Sequence, residues 1–169
     1  RVIADAFFQS LYPAGLCDIR IIVVDDEPVL SMIRVPTKRS DGKANLHQGG
    51  VGLAVDLDTG QVTRAQLQGA EVTTHPDTGA ALVGATVPHW QELVDLAVRA
   101  SRAVPLKFLG IDLVVDRDRG PLVLEINVRP GIEIAPLVQG GTGSVSDSLE
   151  MPAAFTDSME AGTPDLPAI

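Results

Sequence analysis

Residues 108–131 read Phe-Leu-Gly-Ile-Asp-Leu-Val-Val-Asp-Arg-Asp-Arg-Gly-Pro-Leu-Val-Leu-Glu-Ile-Asn-Val-Arg-Pro-Gly, and no other stretch restricts the fold as tightly. Two apolar runs, 109–115 and 122–128, flank a charged turn that ends in Gly120 and Pro121, which is the pattern of an antiparallel hairpin. Strand side chains alternate between faces, so Glu125 and Asn127 share one face and Leu124 and Ile126 the other. Pairing Asp116 with Pro121 brings Asp112 opposite Glu125. Like charges directly opposed destabilise a sheet, and a hard divalent cation would compensate, because Mg²⁺ binds through one or two carboxylates and shared phosphate oxygens. The competing reading is the solvated acidic face of an antiparallel sheet. Against it, Asp112 and Glu125 interrupt Val-, Ile- and Leu-rich runs, while the turn at 116–119 already carries the solvent-facing charge.

Three further stretches bear on chemistry. Residues 37–50 form a polar, Gly-containing loop with Lys38, Arg39, Lys43, Asn45, His47 and Gln48, the densest cationic cluster in an acidic chain. Such a loop is either a flexible solvent segment or the cationic wall that a polyphosphate beside a metal needs. Arg20 and Arg34 stand inside apolar strand patterns at 19–24 and 29–35. Each is either a snorkelling surface arginine or a fork for a phosphate or substrate carboxylate. Asp25, Asp26 and Glu27 precede Pro28 and read as turn residues, not as a metal site. His47, His75 and His89 lack the close pairing of a zinc site, and Cys17 adds no ligand at the required spacing.

In chain order, the entrance Cys17, Asp18, Ile19 and Arg20, residues 43–50 (Lys-Ala-Asn-Leu-His-Gln-Gly-Gly), and the hairpin motifs Leu-Gly-Ile-Asp and Leu-Glu-Ile-Asn-Val-Arg-Pro-Gly resemble the ATP-grasp ligases. They are most similar to the branch that holds the ribosomal-protein glutamate ligase and the alpha-L-glutamate ligase-related proteins. The matches cover roughly residues 17–135 in family order. The resemblance implies ATP and Mg²⁺ (or Mn²⁺) as cofactors, with the metal on Asp112, Glu125 and Asn127. It implies nucleotide and phosphate contacts from Asp18, Lys43, Asn45 and His47, and catalytic roles for Arg20 and Arg34. Where the family has Arg-Ser-Asn, this chain has Lys43, Ala44 and Asn45; lysine keeps the charge and loses the bidentate fork. The implied activity is a carboxylate–amine ligase that joins amino-acid or peptide substrates through an acyl phosphate. Its rivals are another ATP-grasp activity on a different substrate and a non-catalytic interaction domain. The segment His75, Pro76, Asp77, Thr78 and Gly79 also resembles the glutamate ligase-related subgroup, without an assigned role.

The expected fold is α+β: a mainly antiparallel sheet with a packed helix, the C-terminal ATP-grasp domain. A short helix and turn are expected within 1–16, a second hairpin at 52–58 and 61–67 around Thr59 and Gly60, and the clearest helix at 86–104. In that helix Trp90, Leu93, Val94, Ala97 and Ala100 recur at core-facing spacing, with Thr86 as N-cap and Pro88 in the first turn. A short helix is expected after Gly131, with Glu133 structural or near substrate. Domain 1–139 is expected to precede a low-complexity tail at 140–169. The chain opens at Arg1 in a strand-like pattern, and the resemblance implies N-terminal domains of the same protein before it.

A length of 169 residues suits one domain, and 45% apolar content with 21% charged residues is globular. A net charge of −9 argues against a nucleic-acid surface and against anionic lipid. No apolar run is long enough to cross a bilayer, and a lone Cys17 offers no internal disulfide. Together these point to a cytoplasmic protein.

Overall fold

The computed structural model describes residues 1–130. The helix expected after Gly131, the boundary at 139–140 and the tail at 140–169 lie outside the described residues. The elements run α1 (Ala6–Leu11), β1 (Asp18–Val24), β2 (Glu27–Val35), β3 (Val51–Val55), β4 (Val62–Leu67), β5 (Ala70–Glu71), α2 (Trp90–Ser101), β6 (Phe108–Asp116) and β7 (Gly120–Asn127). The strands form one seven-stranded sheet in the order β5-β4-β3-β2-β1-β6-β7, every neighbouring pair antiparallel. The α+β class expected from the sequence is what the chain adopts.

Alternation divides the sheet into two unlike faces. Ile19, Ile21 and Val23 of β1, Ile33 and Val35 of β2, Leu53 of β3, and Leu109, Ile111 and Leu113 of β6 point to one side. There they close a core with Phe8 and Leu11 of α1 and Trp90, Leu93 and Ala97 of α2. The other face carries a small apolar patch, Met32 and Ala54 with Leu30 and Leu46 against it, and the charged residues of the candidate site.

The turns explain where sequence and structure differ. Asp25 and Asp26 take φ of 48° and 68°, so these two residues alone make the first hairpin turn. Left-handed backbone at both central positions matches the right-handed twist of the strands, and Asp tolerates it. Glu27 and Pro28 therefore belong to β2. Proline is accommodated because the register slips between Ile22 and Val23, leaving Val29 unpaired.

Helix α2 begins at Trp90, later than expected, and Thr86 is not its N-cap. The cap position falls to His89 at φ 57°, without a side-chain cap bond. Residues 85–87 are held extended instead, by Val62 N–H on the Ala85 carbonyl and Val87 N–H on the Gly60 carbonyl, at 2.8 and 2.9 Å. Pro88 also disfavours helical backbone at Val87. The helix closes earlier than expected as well, at Ser101, through a tighter turn in which Val104 N–H reaches the Ser101 carbonyl at 3.0 Å.

Candidate active site

The open face gathers residues from four strands because register alone aligns them. Asp18 of β1 faces Arg34 of β2, and Arg20 of β1 faces Asp112 of β6. Asp112 in turn faces Glu125 of β7, and Asn127 faces Gly110 one step along. Cross-strand partners project from the same face, so one row holds Arg20, Asp112 and Glu125, with Asp18, Arg34 and Asn127 beside it.

Asp112 is the centre of this row. Arg20 donates to it through Nε at 2.7 Å and Nη2 at 2.8 Å, Arg34 Nη2 donates at 2.8 Å, and Asn127 Nδ2 donates at 3.0 Å. Arg34 also grips Asp18 through Nε at 2.6 Å and Nη2 at 2.9 Å. Arg20 is 8% exposed and Asp112 4%. Charges this deep are tolerated only when paired and hydrogen-bonded, and among the described residues no buried side-chain N or O lacks a partner. The two guanidinium groups thus offset the Asp112 charge that the sequence left to a metal ion. Burial pushes the Asp18 carboxyl up to about 6, although the hydrogen bonds and charge of Arg34 pull the other way. Glu125 remains exposed beside the pair.

Above this row a cavity of about 220 Å³ is lined by Arg20, Arg34, Ala44, Asn45, Leu46 and His47. The 37–50 loop reaches it because Leu46 packs toward Met32 and because Asn45 folds the backbone. Asn45 Oδ1 accepts the His47 N–H at 3.0 Å, and the Asn45 carbonyl accepts the Gly50 N–H at 2.9 Å. A Cβ on Gly50 would lie 2.9 Å from that carbonyl oxygen, so the loop closes only with glycine there. Lys43 does not line the cavity; its side chain is 66% exposed and its ammonium lies 3.9 Å from Asp41. Beyond β7 the chain folds back over the open face, where a Cβ on Gly110 would meet Pro130 at 2.5 Å.

The sequence-derived residues therefore fall into two groups. Asp18, Arg20, Arg34, Asp112, Glu125 and Asn127 come together on the sheet, with Asn45 and His47 on the facing loop, while Lys43 stands apart. Two carboxylates and one amide oxygen at neighbouring register positions are a donor set that fits a hard divalent cation. Among the described residues no three His, Cys, Asp or Glu side chains gather at metal-ligand spacing. Sequence reasoning missed the ion pairs of Arg20 and Arg34 with the acids. The available signal was two arginines inside apolar strand patterns, a charge that burial makes costly unless it is paired. It also missed the turn-forming role of Asn45. Cys17 is buried, its thiol pushed up to about 12 by burial and by Asp18, which suits a packed residue and not a nucleophile. Among the described residues no helix is long and apolar enough to cross a membrane.

Comparison with known proteins places this geometry in context. A family model described as sugar-transfer associated ATP-grasp matches residues 1–147. The ribosomal protein bS6–L-glutamate ligase of Escherichia coli (strain K12 / DH10B) is 32% identical over 117 residues, covering 69% of this chain and 28% of that protein. The same enzyme of Shigella boydii serotype 18 matches at the same identity and coverage, 32%, 69% and 28%. The chain thus spans about 28% of the length of these curated relatives. A solved structure of the ATP-grasp ligase PsnB complexed with minimal precursor aligns over 71% of this chain and 28% of that one, at 19% identity and a TM-score of 0.36. A likeness that low carries no weight for fold or site.

Proposed function

The chain belongs to the sugar-transfer associated ATP-grasp family, and from that premise we propose that it supplies the phosphate- and metal-facing sheet of an ATP-dependent carboxylate–amine ligase. The observation that carries this reading is the meeting of Arg20, Arg34, Asp112 and Asn127 on one face of the sheet, beneath the 44–47 loop.

In the proposed reaction a substrate carboxylate oxygen attacks the γ-phosphorus of ATP. The bond from that phosphorus to the β,γ-bridging oxygen breaks and ADP leaves. An amine nitrogen then attacks the acyl carbon, the C–O bond to phosphate breaks, and inorganic phosphate and a proton depart. Arg20 and Arg34 face the developing phosphoryl charge, Asn45 and His47 hold the phosphates from the loop, and Asp18 orients Arg34 near the nucleotide. Lys43 adds charge from the loop's outer side. Asp112, Glu125 and Asn127 would hold Mg²⁺, or Mn²⁺ in its place, which when bound supplies charge neutralisation at the transferring phosphoryl oxygens. Asp112 has about four acceptor sites and already takes four donors. A cation held there would have to share Asp112 with these donors, and Arg34 would keep its bonds to Asp18. Most of the rate comes from positioning and fixed charge.

Mass analysis of products tests the proposal: the intact protein is incubated with ATP, Mg²⁺ and candidate amino acids or peptides. An amide product with release of ADP and phosphate is expected, and ATP consumption without any new amide contradicts it. A second reading, an ATP-grasp activity on a different acceptor, draws on the family description, which ties the family to sugar transfer and not to glutamate. The same product analysis, run with sugar-linked acceptors, separates the two.

A further inference from the structure

The segment 73–81 has no part in the reaction, yet two of its side chains, His75 and Asp77, bond the root of the 37–50 loop. His75 is 1% exposed and its ring is the centre of a small network. Nδ1 accepts the backbone N–H groups of Asp77 and Thr78 at 3.2 and 3.3 Å, which leaves the proton on Nε2. Nε2–H then donates to the Pro36 carbonyl at 2.8 Å, the first carbonyl after β2 leaves the sheet. Two residues on, Asp77 Oδ2 accepts the Lys38 N–H at 2.7 Å. The segment is itself anchored: Thr78 Oγ1 donates to the Leu11 carbonyl at 2.9 Å, and the Tyr12 ring lies 5.3 Å from the imidazole. His75 and Gly79 close the turn through Gly79 N–H on the His75 carbonyl at 2.9 Å, with Gly79 at φ 71°.

We propose that His75 and Asp77 are positioning residues: together they clamp Pro36 and Lys38, and so fix where the 37–50 loop stands over Arg20 and Arg34. This rests on the reading of that loop and those arginines as a nucleotide phosphate site. The physical reason is leverage. A loop of this length has many low-energy paths between its ends, and each hydrogen bond that fixes its first residues removes a share of them. Asn45 and Gly50 shape the far half of the loop from within, but they cannot set the angle at which it leaves β2. The clamp touches neither the cavity nor the residues that line it, so its effect reaches ligand only through the loop.

The test uses the intact protein carrying Asp77→Ala, Asp77→Asn or His75→Ala. Two readouts are taken: hydrogen–deuterium exchange over residues 38–50, and Mg²⁺–ADP affinity by calorimetry. Asp77→Ala is expected to speed exchange across the loop several-fold and to weaken Mg²⁺–ADP by about fivefold, the scale of one lost hydrogen bond. Asp77→Asn keeps an acceptor oxygen and is expected to restore both. His75→Ala is expected to do more in each readout; if it fails to fold, the surface variant Asp77→Ala still decides. Unchanged exchange in Asp77→Ala overturns the clamp, and faster exchange with unchanged affinity overturns its coupling to the site. Arg20→Ala is run alongside. Should it bind Mg²⁺–ADP as tightly as the wild type, the phosphate site itself is misread and the clamp has nothing to serve, a failure that the exchange data alone would not produce.

Discussion

Asp112 stands directly opposite Glu125 across β6 and β7, and it does so only because Leu124 has no partner. The turn pairs Asp116 with Gly120, one residue short of the Pro121 expected from the sequence, and the register holds to Leu113 and Val123. The slip between Leu113 and Asp112 then takes up one residue of β7. A bulge of this kind bends the strand and re-aims side chains at a site. Without it, Asp112 would face Leu124, and Glu125 would turn toward the core side.

Glu125 is exposed, and among the described residues its side chain joins no ion pair or hydrogen bond. Glu125→Gln in the intact protein is therefore expected to leave the unfolding midpoint within the range of ordinary surface changes, roughly 0.5 kcal/mol. Product formation is expected to fall by at least about a hundredfold. Calorimetric unfolding and product analysis on the same preparation check both halves.

Breaking the Arg20–Asp112 pair should cost far more stability. Arg20→Ala leaves a carboxylate that is 4% exposed without its bidentate partner, and removing one member of a buried pair costs about 3–5 kcal/mol. Arg34 and Asn127 remain on Asp112, so the lower end is expected. Urea unfolding of Arg20→Ala, Asp112→Ala and the double variant gives the coupling energy. A value near zero would mean that the pair is not buried as described.

Asp18 gives the site a pH dependence whose sign follows from burial. Its folded carboxyl is raised to about 6, above the roughly 3.9 of an unfolded chain. The folded state therefore binds the proton more tightly. This group's contribution to stability is fully present below about pH 4 and is lost as pH rises through about 6. A carbon-detected NMR titration of Asp18 is expected to show a midpoint near 6, and a midpoint near 4 contradicts the burial argument.

Asp116 behaves in the opposite sense. Arg119 foremost, then the backbone N–H groups of Ile3, Asp118 and Arg119, hold its carboxyl well below the usual range. Its contribution is present above the ordinary carboxylate range and is lost only in strong acid. Asp116→Asn is expected to release residues 1–5, seen as faster amide exchange at Ile3, while the exchange of β1 stays slow.

How much was legible in the sequence follows from the range of each interaction. The β6–β7 hairpin, the core stripe of Trp90, Leu93 and Ala97, and the strands at 19–24 and 29–35 rest on local periodicity, and all are present. The start of α2 was misplaced because a bridge between Thr86 and Gln61 holds the preceding residues extended, and such pairing leaves no local mark. The Arg34–Asp112 bond joins residues 78 positions apart, and the His75–Pro36 bond joins residues 39 apart. Residue types named Arg34 and Asp112 as candidates and left His75 and Pro36 without a role; only the sheet order says which acid each arginine meets.

On the reading proposed above, Asp112, Glu125 and Asn127 hold a divalent cation beside a polyphosphate on the open face of the sheet. Isothermal titration of the intact protein with a non-hydrolysable ATP analogue, with and without Mg²⁺, addresses it most directly when wild type and Glu125→Gln are run together. Tight binding that needs Mg²⁺ is expected for the wild type, and a loss of that Mg²⁺ dependence for Glu125→Gln. Equal affinity in all four titrations would contradict it.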